Sequence, residues 1–334
     1  MRFPRLTLLA VATALTSLTA LTACGGSSGD DADGAGPTIT VRIPDPGNSG
    51  VFALGKKDGS LERALAEVDA EVSWTGSAGP FAPAAQALNA DQLDIATGSI
   101  TSGLTSLSQN PGFAFFSATA PDHAGEGILV PDDSDIESVE DLVGRTVAVN
   151  EGGTGEYLLL KALETAGIDP DQVERVYLRP DQTAAVFNAG QVDAWAVWAA
   201  YSVAEIGSGD AHFLVDGADV GSDNYSLTAV RTGFAEDHPE VVRALFDYLQ
   251  DASERQRQDP AAFLNVNTDV GPQALTGAAR ETQIAFLSEG GTVAAITDAD
   301  IERFQDVARF YAERGVTRDE VDIAAHVLDV TELR

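Results

Sequence analysis

The sequence predicts an α/β fold of two lobes, each with a mixed sheet flanked by helices, and a cleft between them. Short β-branched runs alternate with helical segments, as in βαβ units. The string LNADQLD at residues 88–94 returns as FNAGQVD at 187–193, each time between a predicted helix and a predicted strand. This repetition indicates two halves built on one pattern. A length of 334 residues suits two lobes better than one.

Composition limits the partners and the compartment. The chain has 20 Lys plus Arg against 52 Asp plus Glu, a net charge of -32. Nucleic acid and anionic membrane surfaces bind basic faces, so both are excluded as partners. With 44% hydrophobic residues, including 14 Phe, the chain is too apolar for an acidic disordered protein. This balance suits a protein that stays soluble outside the cell.

The N-terminus predicts export and a lipid anchor. An apolar run at residues 6–20 is too short to span a bilayer and ends in LTAC at 21–24, which resembles a bacterial lipobox. We expect cleavage of a signal peptide, residues 1–23, and lipidation of Cys24, the only cysteine. The alternative is a plain secretory signal with an incidental cysteine. Residues 24–37 are rich in Gly, Ser and Asp and predict a flexible tether.

The following elements alternate along the chain and are grouped by lobe. In the first lobe, residues 38–121, we predict strands at 38–43, 71–74, 95–97 and 113–118, with helices from 51, at 60–68 and before 88. In the second lobe, residues 122–230, we predict strands at 128–130, 146–150, 173–178 and 194–198, and a return strand at 226–231. Residues 231–334 should return to the first lobe with helices at 239–256, 260–263, 278–287, 298–314 and a short one from 318.

A strand, a glycine-rich loop and a helix follow one another between Gly144 and Gly167. The glycines of the loop, GGTG at 152–155, let a ligand approach the backbone, and the helix start favours an anion or a carbonyl. An ordinary βα turn is the alternative. No Lys follows the glycines, so the loop is not a nucleotide P-loop, and it lacks the third glycine of a dinucleotide fingerprint.

Enzymatic motifs find no support in the sequence. The four histidines show no metal-ligand spacing, GSITSG at residues 98–103 is not a nucleophile elbow, and Cys24 is assigned to the anchor. We therefore predict a protein that is not an enzyme and has no metal and no cofactor.

Three stretches carry a family resemblance: ALNADQLDIATGS at 87–99, residues 127–168, and RVYLRPDQTAAVFNAGQVDAWAVWAAY at 175–201. They resemble solute-binding proteins of ABC importers for nitrate, sulfonate, taurine and thiamine precursors, with the aliphatic-sulfonate group most similar. In two places the chain departs from that family. Ala199 and Ala200 follow Trp198 where relatives often have Asp-Pro, and the loop lacks the His that many relatives carry near Tyr157.

The resemblance implies a periplasmic-binding-protein-like fold of type II and a role in transport. The protein would capture an aliphatic sulfonate or a similar small oxyanion in the cleft and deliver it to a membrane permease with a separate ATPase subunit. It would be a monomeric lipoprotein on the outer face of the cell membrane. Two alternatives stay open: a carrier of an aromatic or heterocyclic nutrient such as a thiamine-pyrimidine precursor, and a surface enzyme on the same fold.

The resemblance also implies which residues hold the ligand. Those expected to bind its oxyanion through backbone and hydroxyl groups are Gly98, Ser99 and Thr101 on one lobe and Gly153, Thr154 and Gly155 on the other. Trp195 and Trp198 have opposite parity in their strand, so at most one faces the cleft, and we favour Trp198. Further candidates lie on loops near the expected cleft: Phe81, Asn48, Asn224 and Tyr225.

Overall fold

The computed structural model describes residues 38–109 and 112–333. The predicted signal peptide, the tether and the lipidated Cys24 lie outside the described residues. None of the helices in the described part of the chain combines the length and apolar character that a membrane-spanning helix needs.

The strands and helices alternate along most of the chain, as predicted. The strands are β1 Ile39–Ile43, β2 Ala70–Trp74, β3 Ile95–Ser99, β4 Phe113–Thr119, β5 Gly127–Pro131, β6 Thr146–Val149, β7 Glu174–Tyr177, β8 Ala194–Val197, β9 Ala211–Asp216 and β10 Ser226–Arg231. The helices are α1 Val51–Asp58, α2 Ser60–Ala66, α3 Phe81–Asn89, α4 Ile100–Leu107, α5 Thr154–Ala166, α6 Pro180–Asn188, α7 Ala199–Ser208, α8 Thr232–Asp237, α9 Pro239–Gln258, α10 Gly277–Glu289 and α11 Asp298–Glu313.

The strands form sheets that divide between two lobes. In the first lobe β1 pairs in parallel with β2, and β10 lies antiparallel between β3 and β4. In the second lobe the strand order is β7-β6-β8-β5-β9, with β6 parallel to β7 and β8 and β5 antiparallel to β8 and β9. The predicted mixed α/β fold with flanking helices is therefore confirmed. The predicted lobe boundaries stay a prediction, although β10 joins the sheet of the first lobe.

Separate hydrophobic cores fill the two lobes. Leu61, Phe116 and Leu245 belong to a core shared by β1, β4, α2 and α9 of the first lobe. Val147 and Leu158 belong to a core of the second lobe between β6 and α5. Both cores follow from apolar residues that recur at strand or helix period on one face of each element.

Three features of the fold differ from the sequence prediction. Helices α4, α7 and α8 and strand β9 were not predicted; β9 is an edge strand whose side chains after Ala211 are exposed or half-buried, which weakens its alternation. No helix begins at Arg318, because Gln305 of α11 holds this segment through Val321 O and Ile323 N. Helix α10 packs against α7 of the second lobe, so closely that a Cβ on Gly207 would lie 2.6 Å from the backbone of Ala279.

The two copies of the internal repeat adopt the same turn. Asp91 in the first copy and Gly190 in the second occupy equivalent positions, and both have positive φ, 57° and 64°. In both copies the next residue donates its amide to the carbonyl five residues earlier, in the preceding helix: Gln92 N to Ala87 O and Gln191 N to Val186 O. Glycine adopts this left-handed backbone freely, whereas Asp91 pays for it with strain.

Each copy of the repeat ends in an aspartate, and the two aspartates make equivalent hydrogen bonds to backbone. Asp94 accepts a hydrogen bond from the Arg42 amide at 2.9 Å and donates its own amide to Arg42 O at 3.0 Å. Asp193 accepts from the Thr146 amide at 2.8 Å and donates to Thr146 O at 2.9 Å. Each aspartate therefore joins the start of its strand to the neighbouring parallel segment, which supports the two-halves interpretation.

Candidate ligand-binding groove

The starts of α4 and α5 meet across the boundary between the lobes. Ser99 caps α4, and Thr154 Oγ1 donates to Ser99 Oγ at 3.2 Å. Thr101 Oγ1 donates to Asn224 Oδ1 at 2.9 Å, and Asn224 Nδ2 donates to Thr154 Oγ1 at 3.2 Å. The structure thus brings together four of the residues that the sequence predicted for the site, and buries three of them, Thr101, Thr154 and Asn224.

The glycine-rich loop before α5 is held in place from several sides. Asn150 Oδ1 accepts from the Gly155 amide at 2.8 Å, and a Cβ at Gly155 would lie 2.4 Å from Ala196 O. The Tyr311 hydroxyl donates to Gly153 O at 3.1 Å, and the buried Glu156 carboxylate accepts from the Gly152 amide at 2.7 Å. The glycines allow backbone packing that larger residues would block. The loop is therefore a fixed platform.

A buried carboxyl joins the two segments that cross between the lobes. Glu126, in the crossing before β5, accepts from Ser222 Oγ at 2.5 Å and from Asn224 Nδ2 at 2.8 Å. The Gly217 amide donates to Glu126 O at 2.8 Å, which brings the two crossings together at their backbones. Burial raises the pKa of Glu126 to about 7. The crossings and the α5 start are thus connected through Asn224.

Two adjoining cavities lie along the boundary between the lobes, and we call them together the groove. The larger, about 960 Å³, lies at the carboxyl ends of β1, β2 and β4 and along the first three residues of β3, and is also lined by Arg179 and Tyr201 of the second lobe. The smaller, about 560 Å³, lies between α3 and α4 on one side and the loops after β6 and β7 on the other. Both are lined by Pro80, Pro83 and Arg179. This is where ligands bind in open α/β folds.

Two helices begin at the larger cavity without a side-chain cap. Gly50 precedes α1 and Pro80 precedes α3, and both line this cavity. The first amide groups of a helix have no partner within the helix, and the helix dipole makes them attractive to an anion. Thr97 and Thr228 line the same space, as does Thr75, whose hydroxyl donates to Ser73 O. The groove therefore offers neutral hydrogen-bond donors to an oxyanion.

Three charged side chains line the larger cavity within the described residues: Asp122, Arg179 and Asp181. Arg179 forms a two-pronged ion pair with Asp181, Nε to Oδ1 at 3.1 Å and Nη2 to Oδ2 at 3.0 Å. This pair lowers the pKa of Asp181 through a hydrogen bond. Burial raises the pKa of Asp122.

The remaining predicted site residues lie in different surroundings. Phe81 begins α3, lines the smaller cavity and covers Gly98, where a Cβ would lie 2.4 Å from the phenyl ring. Tyr225 packs edge-to-face on Phe304 at 5.1 Å between ring centres. Asn48 accepts from the amides of residues 267 and 268 and donates to the carbonyls of 268 and 273, so its polar atoms are engaged by backbone.

Trp195 and Trp198 lie in different surroundings, Trp195 within β8 and Trp198 directly after it. Trp195 is 2% exposed in a core of the second lobe beside Phe187. Trp198 is half-buried and contacts Tyr201 edge-to-face at 5.2 Å between ring centres. Tyr201 rather than either tryptophan lines the larger cavity. The ligand-binding roles of the residues predicted from the sequence stay predictions.

Sequence reasoning missed four residues of this region: Arg179, Tyr201, Asp122 and Glu126. The signal for Arg179 was its position two residues after the end of β7, since ligands bind at the carboxyl ends of strands. Asp122 and Glu126 lie at the predicted start of the second lobe. Two acidic residues there form neither a hydrophobic period nor a recognisable motif. Their burial depends on residues around 217–224.

The chain is similar to one family model and to several curated binding proteins. The family model described as NMT1/THI5 like matches residues 82–262. A putative aliphatic sulfonates-binding protein of Escherichia coli is 29% identical over 64% of this chain and 66% of its own length. The taurine-binding periplasmic protein of the same organism is 32% identical over 54% of this chain and 59% of its own length. The matched stretch thus spans less than two thirds of either relative.

Solved structures share the fold. The alkanesulfonate-binding protein of Xanthomonas axonopodis pv. citri, bound to MOPS, aligns with a TM-score of 0.78 at 24% identity, over 88% of this chain and 99% of that one. A desulfurization enzyme aligns with a TM-score of 0.61 at 17% identity, over 87% of this chain and 96% of that one. The fold is therefore common to binding proteins and at least one enzyme, so the function has to be inferred from the site.

Proposed function

Because the chain belongs to the NMT1/THI5-like family, whose model covers more than half of it, we propose that it is a solute-binding protein of an ABC importer. Its ligand is an aliphatic sulfonate or a similar small oxyanion. The relatives named as aliphatic sulfonate- and taurine-binding proteins support this proposal.

The observation that carries the proposal is the larger cavity of the groove. It has a volume of about 960 Å³, lies at the carboxyl ends of β1, β2 and β4, and is lined by threonine and serine residues and two uncapped helix starts. A sulfonate is weakly basic and spreads its charge over three oxygens, so several neutral donors hold it well. Arg179 adds one cationic donor from the opposite lobe.

Closure of the two lobes on the ligand is part of the proposal. The lobes comprise residues 38–121 with 231–334, and residues 122–230, and they move about the crossings near Pro121 and Arg231. The backbone hydrogen bond between Gly217 and Glu126 supports a compact hinge. The hydroxyl contacts among Ser99, Thr101 and Thr154 join the lobes at the starts of α4 and α5. The ligand-binding role proposed for these helix starts rests on the family resemblance.

We propose an extracytoplasmic location on the outer face of the cell membrane. The LTAC sequence ending at Cys24 supports lipidation after removal of residues 1–23, and the relative named as periplasmic supports export. The protein acts as a monomer and delivers its cargo to a membrane permease whose ATPase is a separate subunit. No catalytic role is proposed, since the curated relatives above are binding proteins.

Calorimetry on the purified chain tests the function. Titration with propane-1-sulfonate, taurine and nitrate should show binding of at least one, and Arg179→Gln should weaken it by about tenfold, the value of one charge-assisted hydrogen bond. Arg257→Gln is the matched control, because Arg257 lies on α9 and pairs with Glu254 outside the groove. Failure of all three ligands to bind would overturn the sulfonate assignment.

An aromatic or heterocyclic nutrient is the second candidate. The apolar part of the larger cavity favours it, because Phe52, Tyr201 and Phe286 line that space. A heterocycle in the groove should quench the fluorescence of Trp198, which contacts Tyr201, whereas an aliphatic sulfonate should leave it unchanged. Turnover of any bound compound by the purified protein would instead support an enzyme.

A further inference from the structure

The larger cavity contains a carboxylate that the proposed capture of an oxyanion does not explain. Asp122 lines this cavity in the crossing between β4 and β5 and is partly buried. Its Oδ1 accepts from the Gly125 amide at 3.2 Å, while Oδ2 accepts no hydrogen bond from a described residue. Removing a carboxylate from water costs free energy unless the carboxylate is paired. Oδ2 of Asp122 therefore has room for a hydrogen-bond donor from a ligand.

Within the part of the chain that the structure describes, no Lys or Arg forms an ion pair with Asp122, and the neighbouring His123 directs Nε2 to Ser222 O at 2.8 Å. Two neighbouring groups act on Asp122 through their charge without a hydrogen bond: His123 lowers its pKa and Glu289 raises it. Burial accordingly raises the pKa of Asp122.

The charges of the larger cavity do not cancel. Arg179 and Asp181 neutralise each other through their two-pronged ion pair, and Asp122 is the third charged residue of the described lining. The cavity therefore carries about one uncompensated negative charge beside helix starts and hydroxyls that suit an oxyanion. A ligand with only a negative charge would leave Asp122 unpaired, whereas one with an ammonium group as well would pair with it.

We propose that Asp122 is a specificity-determining residue that binds a protonated amine of the ligand, so that the groove selects aminoalkanesulfonates over plain alkanesulfonates. This inference rests on the proposed function and narrows its ligand class. The oxyanion lies toward the starts of α1 and α3, and the ammonium group lies at Asp122. Because Asp122 belongs to a crossing segment, the amine contact also joins the ligand to the hinge.

A pair of ligands of matched size tests the inference. Taurine and propane-1-sulfonate have the same chain length and differ in an ammonium group against a methyl group. Calorimetry on the purified chain should give a Kd at least tenfold lower for taurine. Asp122→Asn should raise the Kd of taurine about tenfold or more and leave that of propane-1-sulfonate unchanged or lower, since a desolvated charge pair is lost in one case only.

Two controls separate the possible outcomes. Asp133→Asn removes the same charge from an exposed loop and should change neither Kd. Thermal unfolding of Asp122→Asn shows whether the variant is folded, and wild-type selectivity between the two ligands tests the inference even if it is not. Equal affinity of the wild-type chain for both ligands overturns the role of Asp122 while the sulfonate function stands. Binding of neither ligand overturns both.

Discussion

Asn224 shows how one side chain can connect the two lobes and the segment that crosses between them. Its amide group contacts Thr101 of the first lobe, Thr154 of the second and Glu126 of the crossing, all in buried surroundings. An Asn offers two donors and one acceptor oxygen, and here both ends are used. Because buried polar groups are costly when unpaired, the four side chains hold one another in a single arrangement.

Replacement of Glu126 by Gln should change how stability depends on pH. Burial raises the pKa of Glu126 from 4.5 to about 7, so the folded protein keeps a proton that the unfolded chain releases between those values. The stabilising contribution of this protonation is fully present below pH 4.5 and is lost as the pH rises through 7. It amounts to roughly 3 kcal/mol.

Urea unfolding between pH 4 and 8 measures this contribution. The free energy of unfolding of the wild type should fall relative to that of Glu126→Gln as the pH rises, because Gln does not titrate. Glu236→Gln, at an exposed position, should run parallel to the wild type at every pH. Parallel curves for Glu126→Gln would show that Glu126 titrates normally in the folded protein.

The internal repeat is the element that most clearly links sequence to structure. Both copies turn from a helix into a strand through a residue of positive φ and end in an aspartate that binds backbone at the neighbouring strand. Their environments differ. Asp94 is 1% exposed and paired with Arg42 and Arg231, whereas the side chain of Asp193 is 35% exposed and paired with Arg145 at 3.6 Å.

Equivalent substitutions in the two copies should therefore have unequal costs. Burial raises the pKa of Asp94, but hydrogen bonds from Arg42 and Arg231 outweigh it and hold the pKa below its ordinary value. Asp94→Asn should cost about 3–5 kcal/mol, because two guanidinium groups lose a buried partner. Asp193→Asn should cost about 1 kcal/mol.

Urea unfolding of both variants at pH 7 provides the comparison. Each serves as the control of the other, since the same change is made at the same point of the repeat. Equal losses of stability in the two variants would mean that the buried ion pairs of Asp94 contribute no stability beyond that of the backbone hydrogen bonds that Asp94 and Asp193 share.

At the scale of the whole molecule, the net charge of -32 sets the field through which a ligand approaches. A protein of this charge repels anions, and salt screens the repulsion over about 30 Å at 0.01 M and about 10 Å at 0.1 M. A zwitterion has no net charge and is little affected. The same field opposes approach to anionic lipid surfaces, so the proposed membrane attachment would depend on the lipid at Cys24.

Association kinetics should reveal this field. The association rate constant of propane-1-sulfonate should rise several-fold between 0.01 and 0.1 M salt, while that of taurine should stay nearly constant. Surface plasmon resonance on the immobilised chain gives both constants, and taurine is the control for effects of salt on the protein itself. An equal response of the two ligands would show that local contacts, rather than net charge, govern their approach.

The sequence by itself determined most of the order of strands and helices, the two-halves pattern and the family, because periodicity, turn residues and the repeat are local properties of the chain. It also placed Ser99, Thr101, Thr154 and Asn224 near the boundary between the lobes. Only the tertiary structure decided that these side chains contact one another, that Tyr201 rather than a tryptophan lines the larger cavity, and that Asp122 does so without an ion-pair partner among the described residues. These contacts depend on which distant segments of the chain meet. The hydrophobic period of a sequence assigns a residue to one face of its helix or strand, but it does not identify the residue that packs against that face.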